Sequence, residues 1–131
     1  VQCNISFNHR QGTLRGMHFQ QSPHEEAKLV RCTMGAIHDI IVDLRPDSPT
    51  RLQHFAVELS AENRRQLFVP KGFAHGFQTL ADNTEVFYQM ADFFVPGVAA
   101  GLRYDDPKLA LNWPLPVSVI AAKDLELPVL P

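Results

Sequence analysis

Apolar and polar residues alternate along most of this chain, with a period of two. Seven runs of four to nine residues show this alternation or a continuous apolar stretch, at positions 14–20, 28–33, 36–44, 55–59, 66–69, 73–80 and 84–90. Turn-forming Gly, Pro, Asp, Asn and Ser residues separate the runs, and no window has the 3.6-residue spacing of an amphipathic helix. With a further short strand near Leu102–Tyr104, about eight strands are expected. Strands this short and closely spaced are typical of an all-β sandwich or barrel.

Little helix is predicted. One turn is expected around Pro107–Leu111 and another near Ala121–Leu125, both within a proline-rich C-terminal stretch that is otherwise loop.

The predicted strands carry many polar residues on the face that should point inward. These residues are His18, Gln20, Lys28, Asp39, His75 and Tyr88. A buried polar group is costly unless it meets another polar group or a ligand. The pattern therefore predicts a binding cavity inside the barrel.

Arg15 and His18 lie an odd number of residues apart, so simple alternation would place them on opposite faces of their strand. Both can reach one cavity only if the strand bulges between them. Gly16 is the residue that would permit such a bulge.

Composition narrows the class of protein. The 131 residues include 45% hydrophobic and 20% charged residues, and the net charge of −2 does not favour a polyanionic partner such as nucleic acid. No apolar run approaches the roughly 18 residues that span a bilayer, so no membrane association is expected. Cys3 and Cys32 do not form a disulfide framework, and we expect both to be reduced in a cytoplasmic protein.

Three residues suggest proton-transfer chemistry, and each also has a simpler interpretation. His18 could act as a base oriented by Asp124, or it could be a structural histidine bonded to a backbone carbonyl. Lys28 could stabilise an enolate oxygen, or it could be a solvated residue at a strand edge. Tyr88 could deliver a proton opposite a base, or it could be a core aromatic residue.

Metal and cofactor chemistry are not predicted. Although the chain has six histidines, no HxH or HxxxH pair occurs, and a zinc or iron site needs three or four convergent ligands. Phosphate-loop, dinucleotide and nucleophile-elbow motifs do not occur either.

Several motifs, taken together and in order, resemble the dTDP-4-dehydrorhamnose 3,5-epimerase family. They are TLRGMHFQ, KLVRCTMGAIHDIIVDLRPDSPT, LSAEN, FVPKGFAHGFQTL, EVFYQ, YDDP and NWP, and the resemblance runs from about Gly12 to Asp124. It implies a cupin-type jelly roll of short antiparallel strands, which works without a metal and usually forms a homodimer. It also implies a nucleotide-diphosphate sugar as the substrate.

The resemblance assigns roles to individual residues. His18 matches the family's catalytic base, and Asp124 resembles the aspartate paired with it. Lys28 matches the lysine beside the sugar's keto oxygen. Tyr88 matches the proposed acid on the opposite face of the ring, and Arg15 falls at a position that binds diphosphate and substrate.

Further substrate contacts are implied at the edges of the site. His75 falls at a substrate-contacting position, and Gln2 and Asn4 resemble residues at the edge of the nucleotide site. Gln20 and Phe93 are also expected in the substrate site, with Phe93 part of an aromatic pair that is commonly Tyr-Tyr in the family.

We therefore expect one jelly-roll domain over residues 1–131, without the further N-terminal strands that the family usually carries. The expected reaction is epimerisation at C3 and C5 of a dTDP-linked 4-keto-6-deoxyhexose, in rhamnose-type deoxysugar biosynthesis. Two alternatives stay open at this point. One is a single-centre epimerase or ketoisomerase acting on a sugar nucleotide, and the other is a non-catalytic cupin that binds a nucleotide sugar.

Overall fold

Two β-sheets face each other in the computed structural model of the chain, which describes residues 1–131. The elements in chain order are β1 (Gln2–Asn8), β2 (Thr13–Gln20), β3 (Lys28–Met34), β4 (Ala36–Asp43), β5 (His54–Ser60), β6 (Gln66–Val69), β7 (Phe73–Thr79), β8 (Thr84–Met90), β9 (Ala99–Gly101), β10 (Val119–Ile120) and α1 (Ala122–Leu125).

The strand order is that of a jelly roll. The first sheet has the order β1-β8-β3-β6, and the second has β10-β2-β7-β4-β5, with β9 paired to the outer edge of β2. All pairs are antiparallel except the short parallel pair of β10 with β2. This arrangement, with eight main strands in two sheets, confirms the predicted all-β class and the cupin-type jelly roll.

The seven alternating runs of the sequence are all strands, with bounds within two residues of those predicted. The short strand expected at Leu102–Tyr104 is wrong by three residues, because β9 occupies Ala99–Gly101. Leu102 still exchanges two backbone hydrogen bonds with Met17, but Arg103 already turns towards the C-terminal segment. β9 was not predicted because its sequence, Ala-Ala-Gly, contains only small residues without β-branching, which do not favour a strand.

One of the two predicted helical turns is present. The turn near Ala121–Leu125 is α1. Residues 107–111 form turns instead of a helix, because Leu109 and Ala110 both donate to the carbonyl of Asp106 and Ala110 then takes a positive φ of 50°. A positive φ lies outside the right-handed helical region, so a helix cannot continue through Ala110.

Two hydrophobic cores hold the layers together. The first lies between the sheets and consists of Val30, Cys32, Ile37, Ile41, Leu59, Val69, Phe77 and Val86. The second lies between the second sheet and the C-terminal segment, and consists of Met17, Ile40, Val42, Ala74, Leu102 and Leu109. Since both faces of β2, β4 and β7 are covered, six of the eight residues of β4 are buried.

Both cysteines are free, as predicted, with Cys3 exposed and Cys32 buried in the first core. The structure has no helix long and apolar enough to cross a membrane.

Candidate active site

A cavity of about 240 Å³ opens between the two sheets. It is lined by Arg15, His18, Lys28, His75, Gly76, Phe77, Tyr88, Ala121, Lys123 and Asp124. β2 and β7 form one wall, β3 and β8 form the facing wall, and α1 closes the side. The predicted internal cavity is therefore present, and charged and polar side chains dominate its lining.

A second cavity of about 350 Å³ adjoins the first and shares four lining residues with it, namely His18, Lys28, Tyr88 and Lys123. Its other lining residues include Gln2, Asn4, Gln20 and Phe94. We call the two cavities together the substrate groove. Its size and mixed polarity suit a ligand larger than a single sugar ring.

His18 and Asp124 form a hydrogen-bonded pair at the centre of this groove. His18 Nε2 lies 2.7 Å from Asp124 Oδ1, and the backbone N–H of Gly16 donates to Asp124 Oδ2 at 3.3 Å. Asp124 is 2% exposed, whereas the His18 side chain is 41% exposed. A carboxylate on Nε2 keeps the proton there and leaves Nδ1, which has no partner in the chain, as a free base.

The pKa of His18 is lowered from its ordinary value of 6.5, chiefly because burial disfavours the imidazolium. Asp124 acts in the opposite direction through its hydrogen bond and its charge, while the charges of Lys28 and Lys123 lower the pKa further. The imidazole is therefore neutral near pH 7, which is the form that accepts a proton.

A bulge in β2 brings Arg15 and His18 to the same cavity, as the sequence predicts. The register of β2 against β7 shifts between these two residues. Gly16 takes a φ of +136°, and a Cβ at this position would lie 2.6 Å from Cα of Gly76. Only glycine fits both the dihedral and the contact.

Lys28 and Tyr88 come from the sheet opposite His18. Tyr88 pairs with Val30 on the neighbouring strand, so its ring lies close to the start of β3, where Lys28 Nζ is 3.5 Å from Glu26 Oε1. Burial raises the pKa of Tyr88 above its ordinary value of 10.0, with Arg15 acting in the opposite direction. The phenol therefore stays protonated at neutral pH and can donate a proton.

Two further residues of the first cavity are held by partners behind it. Arg15 Nε donates to Asn8 Oδ1 at 2.8 Å. His75 Nε2 lies 2.6 Å from Asp39 Oδ1, and both side chains are buried. The His75 ring is thereby fixed at the wall of the cavity.

The residues predicted at the nucleotide edge divide into two groups. Gln2, Asn4 and Gln20 all line the second cavity. Phe93 lies outside both cavities and is 67% exposed, whereas its neighbour Phe94 lines the second one. The cause is a long-range contact, because Gln2 Oε1 accepts a hydrogen bond from the Phe94 backbone N–H and so holds that residue at the groove.

Gln20 also holds this loop, because its Oε1 accepts from the Val95 backbone N–H at 3.3 Å and its Nε2 donates to the His24 carbonyl at 2.9 Å. Both the oxygen and the nitrogen of the Gln20 side-chain amide are thus engaged within the chain. Gln2 and Gln20 therefore shape the groove by fixing the loop after β8.

Several lining residues of the groove were not predicted from the sequence, and three of them bear on its chemistry. Lys123 lines both cavities, Glu26 pairs with Lys28, and Phe94 takes the place expected for Phe93. The signal for Lys123 was its position directly before Asp124, and that for Glu26 was its spacing of two residues from Lys28.

No group of three His, Cys, Asp or Glu side chains is placed to hold a metal ion. The polar residues of the groove instead supply a base, an acid and several cations. The arrangement can remove a proton from a carbon acid, stabilise the oxyanion that results, and bind an anionic ligand.

These features define a class of protein, namely a cupin-type jelly roll with an acid–base site between its sheets. The model of the family described as dTDP-4-dehydrorhamnose 3,5-epimerase matches residues 1–131 of the chain. The chain belongs to this family.

Individual relatives are similar over nearly the whole chain. The dTDP-4-dehydrorhamnose 3,5-epimerase of Sinorhizobium fredii is 45% identical over 131 residues, which cover 99% of this chain and 67% of that protein. The crystal structure of the Bacillus anthracis enzyme of the same name, with TDP and PPi bound, matches with a TM-score of 0.97 and 46% identity, covering 99% of this chain and 74% of that one.

A third similar structure is that of dTDP-6-deoxy-D-glucose-3,5-epimerase from Legionella pneumophila, in complex with dTDP-4-keto-L-rhamnose. It has a TM-score of 0.93 and 41% identity, covering 98% of this chain and 68% of that one. This chain thus spans about two thirds to three quarters of the length of these relatives.

Proposed function

We propose that this protein inverts C3 and C5 of a dTDP-linked 4-keto-6-deoxyhexose, as an isomerase of rhamnose-type deoxysugar biosynthesis. The observation that carries the proposal is the placement of His18 and Tyr88, which line one cavity from opposite sheets. Epimerisation needs a base on one face of the sugar ring and an acid on the other. Family membership and the ligand of the Legionella relative support the same reaction.

The first half of the reaction is proton removal. The C4 ketone acidifies the hydrogens on C3 and C5, and His18 Nδ1 takes one of them while Asp124 stabilises the imidazolium that forms. The electrons move into an enolate whose oxygen develops negative charge. The ammonium of Lys28 is proposed to stabilise that oxygen.

The second half is reprotonation from the other face. Tyr88 donates its phenolic proton to the carbanionic carbon, and the C4 ketone re-forms with the opposite configuration at that carbon. In a 4-keto-6-deoxyglucose ring the hydrogens on C3 and C5 lie on the same face. One base and one opposing acid therefore serve both centres in turn.

The cations of the groove are proposed to bind the anionic part of the substrate. Arg15 and Lys123 line the first cavity without a carboxylate partner, and both are exposed to an incoming ligand. His75 is proposed to contact the sugar, while Asn4, Gln2 and Phe94 border the space for the nucleoside. Since Lys28 supplies the electrophile, we propose that neither metal nor cofactor takes part.

Proton nuclear magnetic resonance in heavy water tests this function directly. We expect deuterium to enter C3 and C5 of dTDP-4-keto-6-deoxyglucose when the protein is present. Exchange at one carbon only would identify a single-centre epimerase instead. Absence of exchange at both carbons, with folded protein that binds dTDP, would show a non-catalytic binding protein.

Two variants assign the roles of acid and base. His18→Asn should slow exchange at both carbons by about 10²- to 10⁴-fold. Tyr88→Phe should retain exchange but lose inversion, because His18 can return a deuteron to the face from which it took the proton. His54→Gln, an exposed histidine on β5, is the matched control and should behave as wild type. Inversion by the Tyr88→Phe variant at the normal rate would remove Tyr88 from the mechanism.

We also propose that two copies associate through the outer face of the first sheet. This face exposes Ile5 (63%), Phe7 (40%) and Phe68 (60%), and an apolar surface of this kind marks an interface. Light scattering should give the mass of a dimer. The double substitution Ile5→Lys and Phe68→Lys should give a monomer, whereas a monomeric wild-type protein would contradict the proposal.

The proposed location is the cytoplasm. It is supported by the two unpaired cysteines, one of them on the surface, which suit a reducing compartment.

A further inference from the structure

The helix that carries Asp124 cannot hold its own position. α1 has four residues, its N-cap makes no side-chain hydrogen bond, and Asp124 is its one buried residue. A helix this short has no intrinsic stability in water. No apolar side chain of α1 is buried, so contacts from elsewhere in the chain must place it.

Arg103 provides one such contact through its side chain. Its Nη1 donates to the carbonyl of Leu125, the last residue of α1, and its backbone N–H donates to the Pro128 carbonyl at 3.0 Å. Apart from His18, Arg103 is the only residue whose side chain hydrogen-bonds to any of residues 121–128. A guanidinium at a helix C-terminus satisfies a free carbonyl and complements the helix dipole.

Arg103 is itself held rigidly. Its Nε and Nη2 donate to the two carboxylate oxygens of Asp105 at 2.7 and 3.0 Å, a bidentate pairing that fixes the plane of the guanidinium. The third nitrogen is then directed at Leu125. Lysine could not reproduce this geometry, because its ammonium lacks the planar fork.

We propose that Arg103 is a positioning residue, which fixes α1 so that Asp124 stays bonded to His18. Arg103 does not line the substrate groove and acts only through Asp124. This inference rests on the proposed function only in so far as His18 is the base. The Asp105–Arg103–Leu125 connection thus links an exposed loop to the orientation of the imidazole.

Loss of charge and loss of positioning at Arg103 should change the pKa of His18 in opposite directions. Loss of a positive charge by itself should raise the pKa of His18, as any loss of a nearby cation does. Loss of the Asp124 contact should lower it, because that contact is what raises it. If Arg103 acts by positioning, Arg103→Gln must lower the pKa of His18.

Nitrogen-15 correlation spectroscopy of the imidazole, on the free protein without substrate, tests this directly. In wild type we expect the neutral ring to carry its proton on Nε2. In Arg103→Gln we expect a lower His18 pKa and a mixture of the two tautomers. The groups that face the ring are Asp124 and Lys123 of α1, Lys28 of β3, Glu26 just before β3, Tyr88 of β8, and Arg15 and His75 of the second sheet. All of them are unchanged in this variant.

A double-mutant cycle separates positioning from general destabilisation. In an Asp124→Ala background, Arg103→Gln should cause no further change in pKa or tautomer, because no side chain at position 124 is left to contact the ring. The turnover number of the single variant should fall about ten- to a hundredfold with little change in KM. Arg103→Lys should restore part of both effects.

Arg51→Gln, an exposed arginine in the loop between β4 and β5, controls for the loss of charge and should leave His18 unchanged. A wild-type His18 pKa and tautomer in folded Arg103→Gln protein would overturn the proposal. An undiminished effect of Arg103→Gln in the Asp124→Ala background would also overturn it. Because these readings need no turnover, they stand or fall separately from the proposed epimerase activity.

Discussion

His18 lies between groups that shift its pKa in opposite directions. Burial lowers the pKa, as do the charges of Lys28 and Lys123, while Asp124 raises it. The net effect is a pKa below 6.5, so that the free base dominates at neutral pH. In the proposed mechanism the neutral imidazole is the active form, so activity should rise with pH through this pKa and stay level above it.

Two substitutions should shift the rising part of the pH–activity profile, its acid limb, in opposite directions. Lys28→Gln removes a cation and should shift the limb of the kcat/KM profile to higher pH, whereas Asp124→Asn removes the stabilising anion and should shift it to lower pH. Both should also reduce turnover, by about 10²-fold or more. The measurement is the pH dependence of deuterium exchange between pH 4 and pH 8, a range of about two units around the ordinary histidine pKa. Shifts in the same direction for both variants would contradict the assignment.

At the scale of the element, the bulge in β2 decides whether the site exists. Without the register shift between Arg15 and His18, one of the two would point into the second core. The bulge depends on the contact of Gly16 with Gly76, where two backbones approach too closely for any side chain.

Gly16→Ala should therefore lower the free energy of unfolding by about 3 kcal/mol, from the unfavourable φ and the clash together. Gly97→Ala is the matched control, since Gly97 also has a positive φ of 82° but a Cβ there meets nothing within 4 Å. It should cost only about 1 kcal/mol. Urea denaturation measures both values, and equal losses would show that the contact with Gly76 contributes nothing.

For the whole molecule, the end of β4 supplies a pH-dependent contribution to stability. Asp43 is buried and accepts hydrogen bonds from Arg45, Ser48 and Thr50. The Arg45 guanidinium, followed by the two hydroxyl groups, holds the pKa of this carboxyl well below its usual 3.8. A lowered folded-state pKa means that the stabilisation is present at neutral pH and is lost as the pH falls below about 5.

Asp43→Asn should lower the free energy of unfolding at pH 7 by about 2–3 kcal/mol. It should also flatten the decline in stability towards acid, because the group that is protonated has been removed. Asp47→Asn, an exposed carboxylate in the same loop, should change neither property. Thermal unfolding at several pH values gives both readings, and an unchanged acid decline would exclude Asp43 as its source.

The sequence by itself determined seven of the ten strands and the chemistry of the site residues. Alternation located seven strands within two residues, because a strand with one buried face has a period of two whatever the tertiary context. Motif order identified the family, and the odd spacing of Arg15 and His18 predicted the bulge at Gly16.

Only the tertiary structure decided which side chains meet. His18 and Asp124 are 106 residues apart in the chain, and no local rule relates them. Phe93 and Phe94 are chemically alike, and only a hydrogen bond from across the sheet places Phe94 at the groove. No sequence pattern predicts the hydrogen bond from Arg103 to the Leu125 carbonyl of α1. That bond depends on where the segment after β9 and the C-terminal helix come to lie once the sheets have packed. Periodicity is a property of neighbouring residues, whereas an active site is built from contacts between distant ones.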